Sequence, residues 1–115
     1  MVYGIAVEWA CMIEFIESPL FSRLVDAYLS DEEFAALQWE LVTHPEAGDL
    51  IPQSGGLRKL RWAAKGRGKR GGYRVIYYWR SRQGQIWLLT IYAKNEAENI
   101  PAHVLRTIKE ALDHE

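Results

Sequence analysis

The sequence predicts an α+β domain in which helices pack against a small, largely antiparallel sheet. Three observations carry that prediction. Two helix-start signals follow each other at Ser18–Pro19 and Ser30–Glu33. Three strand-like runs then crowd into residues 57–92. A single amphipathic stretch closes the chain. Helical and extended periodicity therefore fall in separate blocks, not in strict alternation, which favours α+β over a doubly wound parallel sheet. With 115 residues there is room for one domain, and at 49% hydrophobic residues a core can form without staples.

Taken in order, MVYGIAVEWAC is apolar but lacks a basic leading region. With Glu8 inside it and Glu14 close behind, it reads as neither a membrane span nor a signal peptide. Met12 can itself serve as a start. Residues 1–11 are thus expected to be an N-terminal extension, and residues 12–115 the domain. IEFIE alternates as a short strand. Ser18 is an N-cap with Pro19 at the first helical position, and Phe21, Leu24, Val25 and Tyr28 give the helix an apolar stripe. SDEE sets a capping box from Ser30 to Glu33 for a second helix, with Phe34, Leu37 and Leu41 inward, that runs to about His44 before Pro45. EAGDLIPQSGG reads as a loop. Strands are expected at about 57–64, 73–80 and 85–92, joined as a meander, and a last helix from Pro101 to about His114 with Val104, Ile108, Ala111 and Leu112 on one side. The predicted order is β-α-α-β-β-β-α, with the helices on one face of the sheet.

The net charge of −1 conceals a division. Residues 1–56 hold ten acids and one cation, whereas residues 57–94 hold 11 of the 14 Lys and Arg residues and no acid. Within that segment, KGRGKRGG is half glycine and half cation. Such asymmetry points to a polyanionic partner more strongly than net charge does. The lone Cys11 cannot form an internal disulfide, and no His/Cys cluster has metal-ligand spacing, so a cytoplasmic protein without cofactor is expected.

Strand parity divides YRVIYYWR into Tyr73, Val75, Tyr77 and Trp79 on one face and Arg74, Ile76, Tyr78 and Arg80 on the other. The first set suits a core, and Arg74 is expected to open onto solvent. Thr90, Tyr92 and Lys94 share a parity at the end of the last strand. An arginine able to clamp phosphate through two parallel N–H bonds, beside a phenol and an ammonium, suits phosphate chemistry. Neighbouring cations would pull the Tyr92 or Lys94 pKa towards neutrality for proton transfer. Trp62 and Trp79 are candidates for stacking on bases. His44, His103 and His114 fall at helix ends or the tail, where capping explains them better than catalysis. On these residues alone, a basic surface that binds RNA without cutting it stays open.

GGLRKLRWAAKGRGKRGGYRVIYY followed by LLTIYAKNE, with FIESPLF and YLSDEEF upstream, resembles the HigB branch of the RelE-like bacterial toxins over about residues 12–98. Arg67 stands where a lysine is usual, which keeps the charge. The resemblance implies a RelE-like fold and a ribosome-dependent endoribonuclease that cuts messenger RNA in the ribosomal A site and is neutralised by a helix-turn-helix, HigA-like antitoxin. It implies catalysis by Arg74, Tyr92 and Lys94 without a metal. The ribose 2′-hydroxyl would attack the adjacent phosphate and leave a 2′,3′-cyclic phosphate. Arg58, Lys59, Arg61, Lys65, Arg67, Lys69 and Arg70 would grip ribosomal RNA and message. ParE-like toxins on the same fold, which inhibit gyrase, lack such a site.

Overall fold

The computed structural model describes residues 13–62, 72–93 and 101–113. The expectations for residues 1–11, for the loop cations and for Lys94 fall on residues outside that set.

A short strand β1 (Glu14–Glu17) leads into α1 (Pro19–Tyr28) and α2 (Asp31–Thr43). There follow β2 (Asp49–Leu50), β3 (Leu57–Trp62), β4 (Tyr73–Arg80), β5 (Gln85–Ala93) and α3 (Ala102–Asp113). Both helix starts are built as their sequences dictate. The Ser18 hydroxyl accepts from the Phe21 amide at 3.0 Å and donates to the Leu89 carbonyl at 2.7 Å, so the cap that starts α1 also pins it to β5. At α2 the Ser30 hydroxyl accepts from the Glu33 amide (3.1 Å), and the Glu33 carboxylate accepts from the Ser30 amide (2.8 Å). Pro45 follows directly on the C-cap His44.

The strands lie in the order β1-β5-β4-β3-β2. β2 to β5 pair antiparallel, and β1 pairs parallel to β5. β2 was expected as loop. Its two residues pair with Arg58 and Lys59 because the turn that follows is tied: the Ser54 hydroxyl donates to the Ile51 carbonyl and accepts from the Leu57 amide. Gly56 at φ 101° supplies the backbone that no side-chain-bearing residue adopts easily.

The fold class is the expected one, but the third helix is not on the expected face. One core joins Phe21, Val25, Leu37 and Leu41 of α1 and α2 to Leu60, Val75, Tyr77, Ile86, Leu88 and Ile91. A second joins Leu105 of α3 to Leu57, Ile76, Trp87, Leu89 and Tyr92 on the reverse face. The physical reason lies in β4 and β5, whose buried side chains alternate onto both faces, so each face needs a cover. Of the expected α3 stripe, Ile108 packs against this second core, but Leu105 is buried in the place expected for Val104, which is 37% exposed.

A break in register shapes β5. Ile76 pairs with Thr90 but Tyr77 pairs with Leu88, leaving Leu89 as the extra residue of a bulge. Leu88 and Ile91 therefore both face α1 and α2, whereas Leu89 and Tyr92 face α3. Without the bulge, Leu88 and Tyr92 would share a face.

At the centre of the first core, the fully buried Tyr77 hydroxyl accepts from the Gly48 amide (2.9 Å) and donates to the Pro45 carbonyl (2.6 Å). A side chain at Gly48 would meet the Tyr77 ring at 2.9 Å and the Lys59 carbonyl at 3.0 Å, so only glycine lets the loop lie this close.

Candidate active site

Pairing across β3, β4 and β5 puts Arg61, Arg74 and Tyr92 in one row. Their chain neighbours Leu60, Val75 and Ile91 belong to the first core, so the row projects onto the α3 face. The adjacent row, Trp62, Tyr73 and Ala93, ends the described sheet. Chain connectivity then fixes what begins there. The basic segment leaves from Trp62 and returns to Tyr73 through Gly72, and Lys94 follows Ala93. Lys65, Arg67, Lys69 and Arg70 belong to that segment, outside the described residues.

Arg74 does not open onto solvent as strand parity suggested. It is 8% exposed and Tyr92 is 7% exposed. Tyr92 lies in the cluster with Leu105, Trp87 and Leu89, because its face is covered by α3 and not by water. Burial pushes the Tyr92 phenol above its ordinary pKa, and the Arg74 guanidinium offsets only part of that rise. The expected pull towards neutrality therefore does not occur at Tyr92. Removing a phenolate from water costs more than one neighbouring cation returns. At neutral pH Tyr92 therefore keeps its proton.

The β3 cations divide. Arg61 is exposed beside Arg74. Lys59 is half-buried in the row of Asp49, Ile76 and Thr90, on the same face. Arg58 does not join them. It pairs with Tyr77, and its Nη1 donates to the Gly48 carbonyl (2.8 Å) and the Glu46 carbonyl (3.3 Å), which makes it a clasp for the 46–48 loop. Trp62 and Trp79 are likewise part of the first core's margin, where they pack against it and do not stand out to stack on bases. His44 caps α2 and lies 3.6 Å from Glu40.

Sequence reasoning placed Arg61 among general backbone contacts and missed its position beside Arg74. The sequence did not carry that signal: strands expected at about 57–64 and 73–80 would set Arg61 opposite Ile76, and only the observed register pairs it with Arg74. Among the described residues no three His, Cys, Asp or Glu side chains gather as a metal site needs. No helix there is long and apolar enough to cross a membrane.

Residues 25–114 match the family model of the RelE toxin of the RelE/RelB toxin–antitoxin system. The chain belongs to the RelE toxin family. The fold agrees. A free-state structure of an arginine-to-alanine double mutant of E. coli toxin RelE superposes with a TM-score of 0.55, covering 85% of this chain and 97% of that one at 10% identity. Identity this low speaks for the fold alone. Family membership makes the chain a toxin of a toxin–antitoxin system, and so implies an antitoxin as its partner.

Proposed function

We propose that this RelE-family toxin is a ribosome-dependent endoribonuclease of the HigB type, which cuts messenger RNA in the ribosomal A site. One observation carries the proposal: Arg61 and Arg74 stand directly opposite each other on neighbouring strands, with the Tyr92 phenol next in the row. Like charges facing across a strand pair destabilise a sheet by about 0.2–1 kcal/mol. Two guanidiniums side by side suit a phosphate, which accepts paired N–H bonds from such forks.

In this reading the message presents its scissile phosphate to the row, with covering side chains drawn aside on the ribosome. The ribose 2′-oxygen attacks phosphorus as its proton passes to solvent water, while the bond to the 5′-oxygen breaks and that oxygen takes up a proton, giving a 2′,3′-cyclic phosphate and a 5′-hydroxyl. Arg74 stabilises the extra negative charge of the pentacovalent phosphate through its bidentate fork. Tyr92, protonated at neutral pH because it is buried, donates to a phosphate oxygen or to the departing 5′-oxygen. Lys94 completes the site by charge stabilisation or proton transfer. The cations Lys59, Arg61, Lys65, Arg67, Lys69 and Arg70 hold message and ribosomal RNA. No metal takes part. The cognate antitoxin is a helix-turn-helix protein of the HigA type, and the toxin acts where ribosomes are, in the cytoplasm.

The test is induced expression with mapping of message 5′ ends, comparing the parent with Arg74→Ala. Translated messages should be cut and untranslated RNA spared, and Arg74→Ala should leave both intact. If supercoiling changes while messages stay whole, the chain acts on gyrase. If RNA is bound but not cut, it is a binding module.

A further inference from the structure

The face opposite the arginine row carries an open groove of about 1100 Å³ that the proposed activity does not use. Trp39, Val42, Pro45 and Trp79 line it together with Glu40 and Glu46, and no Lys or Arg lines it among the described residues. Trp79 lies five residues along β4 from Arg74, roughly 17 Å at strand rise, on the α1/α2 side of the sheet. Trp39 is 49% exposed, on the side of α2 away from the buried Leu37 and Leu41. The charge around the groove has one sign: residues 26–49 hold seven Asp and Glu and no Lys or Arg. The volume lies at the top of the range for small-molecule pockets, about 300–1,000 Å³, and suits a polypeptide segment better.

We propose that the groove is where the antitoxin docks, through a segment that carries an apolar anchor flanked by Lys or Arg. The proposal rests on family membership, which implies an antitoxin, and not on the ribonuclease reading. Charge complementarity gives the first argument. Glu40 and Glu46 beside two indoles suit a cation whose stem packs on a ring while its head meets a carboxylate. The same acids decide against other occupants. They repel a polyanion, so RNA belongs to the basic face. In a two-fold dimer built on this groove, the acidic wall of one copy would meet that of the other. The exposed indole gives the second argument. Tryptophan dominates the energetic centres of protein interfaces, and Trp39 stands half in water beside an apolar wall. The groove and the row of Arg61, Arg74 and Tyr92 lie on opposite faces, so each can be altered without touching the other.

The antitoxin for the experiment is the co-expressed protein that restores growth. Purified, it is titrated into the full-length chain without RNA. Trp39→Glu should weaken binding at least about 30-fold, the loss expected of an interface hot spot. Trp39→Phe keeps an aromatic anchor and should lose less. Glu40→Lys combined with Glu46→Lys should slow association at least about tenfold at low salt and flatten its salt dependence. In the parent, antitoxin should slow amide exchange of residues 39–47 at least about tenfold. Thermal unfolding of each variant alone checks the fold, and if Trp39→Glu does not fold, the double charge reversal decides. Affinity within about threefold of the parent in every folded variant would overturn the proposal. So would protection of residues 39–47 in the isolated chain that grows with concentration alongside a doubled mass, which would give the groove to a second copy. Protection of those amides by ribosomes but not by antitoxin would overturn it in favour of a ribosomal contact.

Discussion

Replacing Arg74 by alanine separates what the residue does for the fold from what it does for a phosphate. Two structural effects oppose each other. The buried stem loses its packing, a loss long cationic side chains share with apolar ones. The like charge standing opposite Arg61 disappears, which returns about 0.2–1 kcal/mol. Net destabilisation should fall in the ordinary range for single substitutions, about 0.5–3 kcal/mol. The catalytic effect has no such offset. A donor aimed at charge present only in the transition state is worth about 10²–10³ in rate, roughly 3–4 kcal/mol. Arg74→Lys should rescue poorly, since an ammonium cannot reproduce the two parallel N–H bonds. The assay is single-turnover cleavage of a ribosome-bound message at saturating toxin, with ribosome affinity measured on the same proteins. A spectroscopic check runs in parallel: without the guanidinium the Tyr92 phenol should titrate at still higher pH, because the group that lowers its pKa is gone. Cleavage at the parent rate once binding is saturated would refute the assignment, whatever the phenol does.

Tyr77→Phe should cost about 2–4 kcal/mol in denaturant unfolding, since it strands the buried Gly48 amide and Pro45 carbonyl at about 1–3 kcal/mol each; a loss under about 0.5 kcal/mol would mean water replaces the hydroxyl. Burial raises the pKa of both Tyr77 and Tyr92. Their contribution to stability is therefore complete below the unfolded value of about 10, and it falls as pH rises from there through the higher folded values. Unfolding midpoints across that window should drop, less steeply for Tyr77→Phe, and equal slopes would contradict the burial account. Neutralising Lys65, Arg67, Lys69 and Arg70 together should flatten the log–log salt dependence of ribosome binding by roughly 3 units, at about 0.7 per phosphate contact; an unchanged slope would take that loop off the RNA backbone.

Local chemistry made much of this fold legible in the sequence. Ser18–Pro19 and Ser30–Glu33 specify helix starts through bonds that span three residues, and both form as read. The runs at about 57–64, 73–80 and 85–92 announce strands by alternation and by the turns between them, and strands stand at 57–62, 73–80 and 85–93. The charge division between residues 1–56 and 57–94 is a property of the sequence itself. Strand parity was enough to put Arg74 on the face away from Tyr73, Val75 and Tyr77. What tertiary structure decided was what lies above that face. Whether α3 packs beside α1 and α2 or on the reverse of the sheet depends on which strand positions end up buried on both sides. That follows from all five strands together. The bulge at Leu89 is equally invisible in QIWLLTIYA, because an extra residue in one strand is defined only by its partner. Yet it turns Tyr92 towards Arg74 and under Leu105, and the resulting loss of water, not the count of nearby cations, sets the phenol's pKa. Arg58 makes the same point in miniature. Its charge was readable, but the two carbonyls that hold it come from a loop more than nine residues away, brought there by the fold.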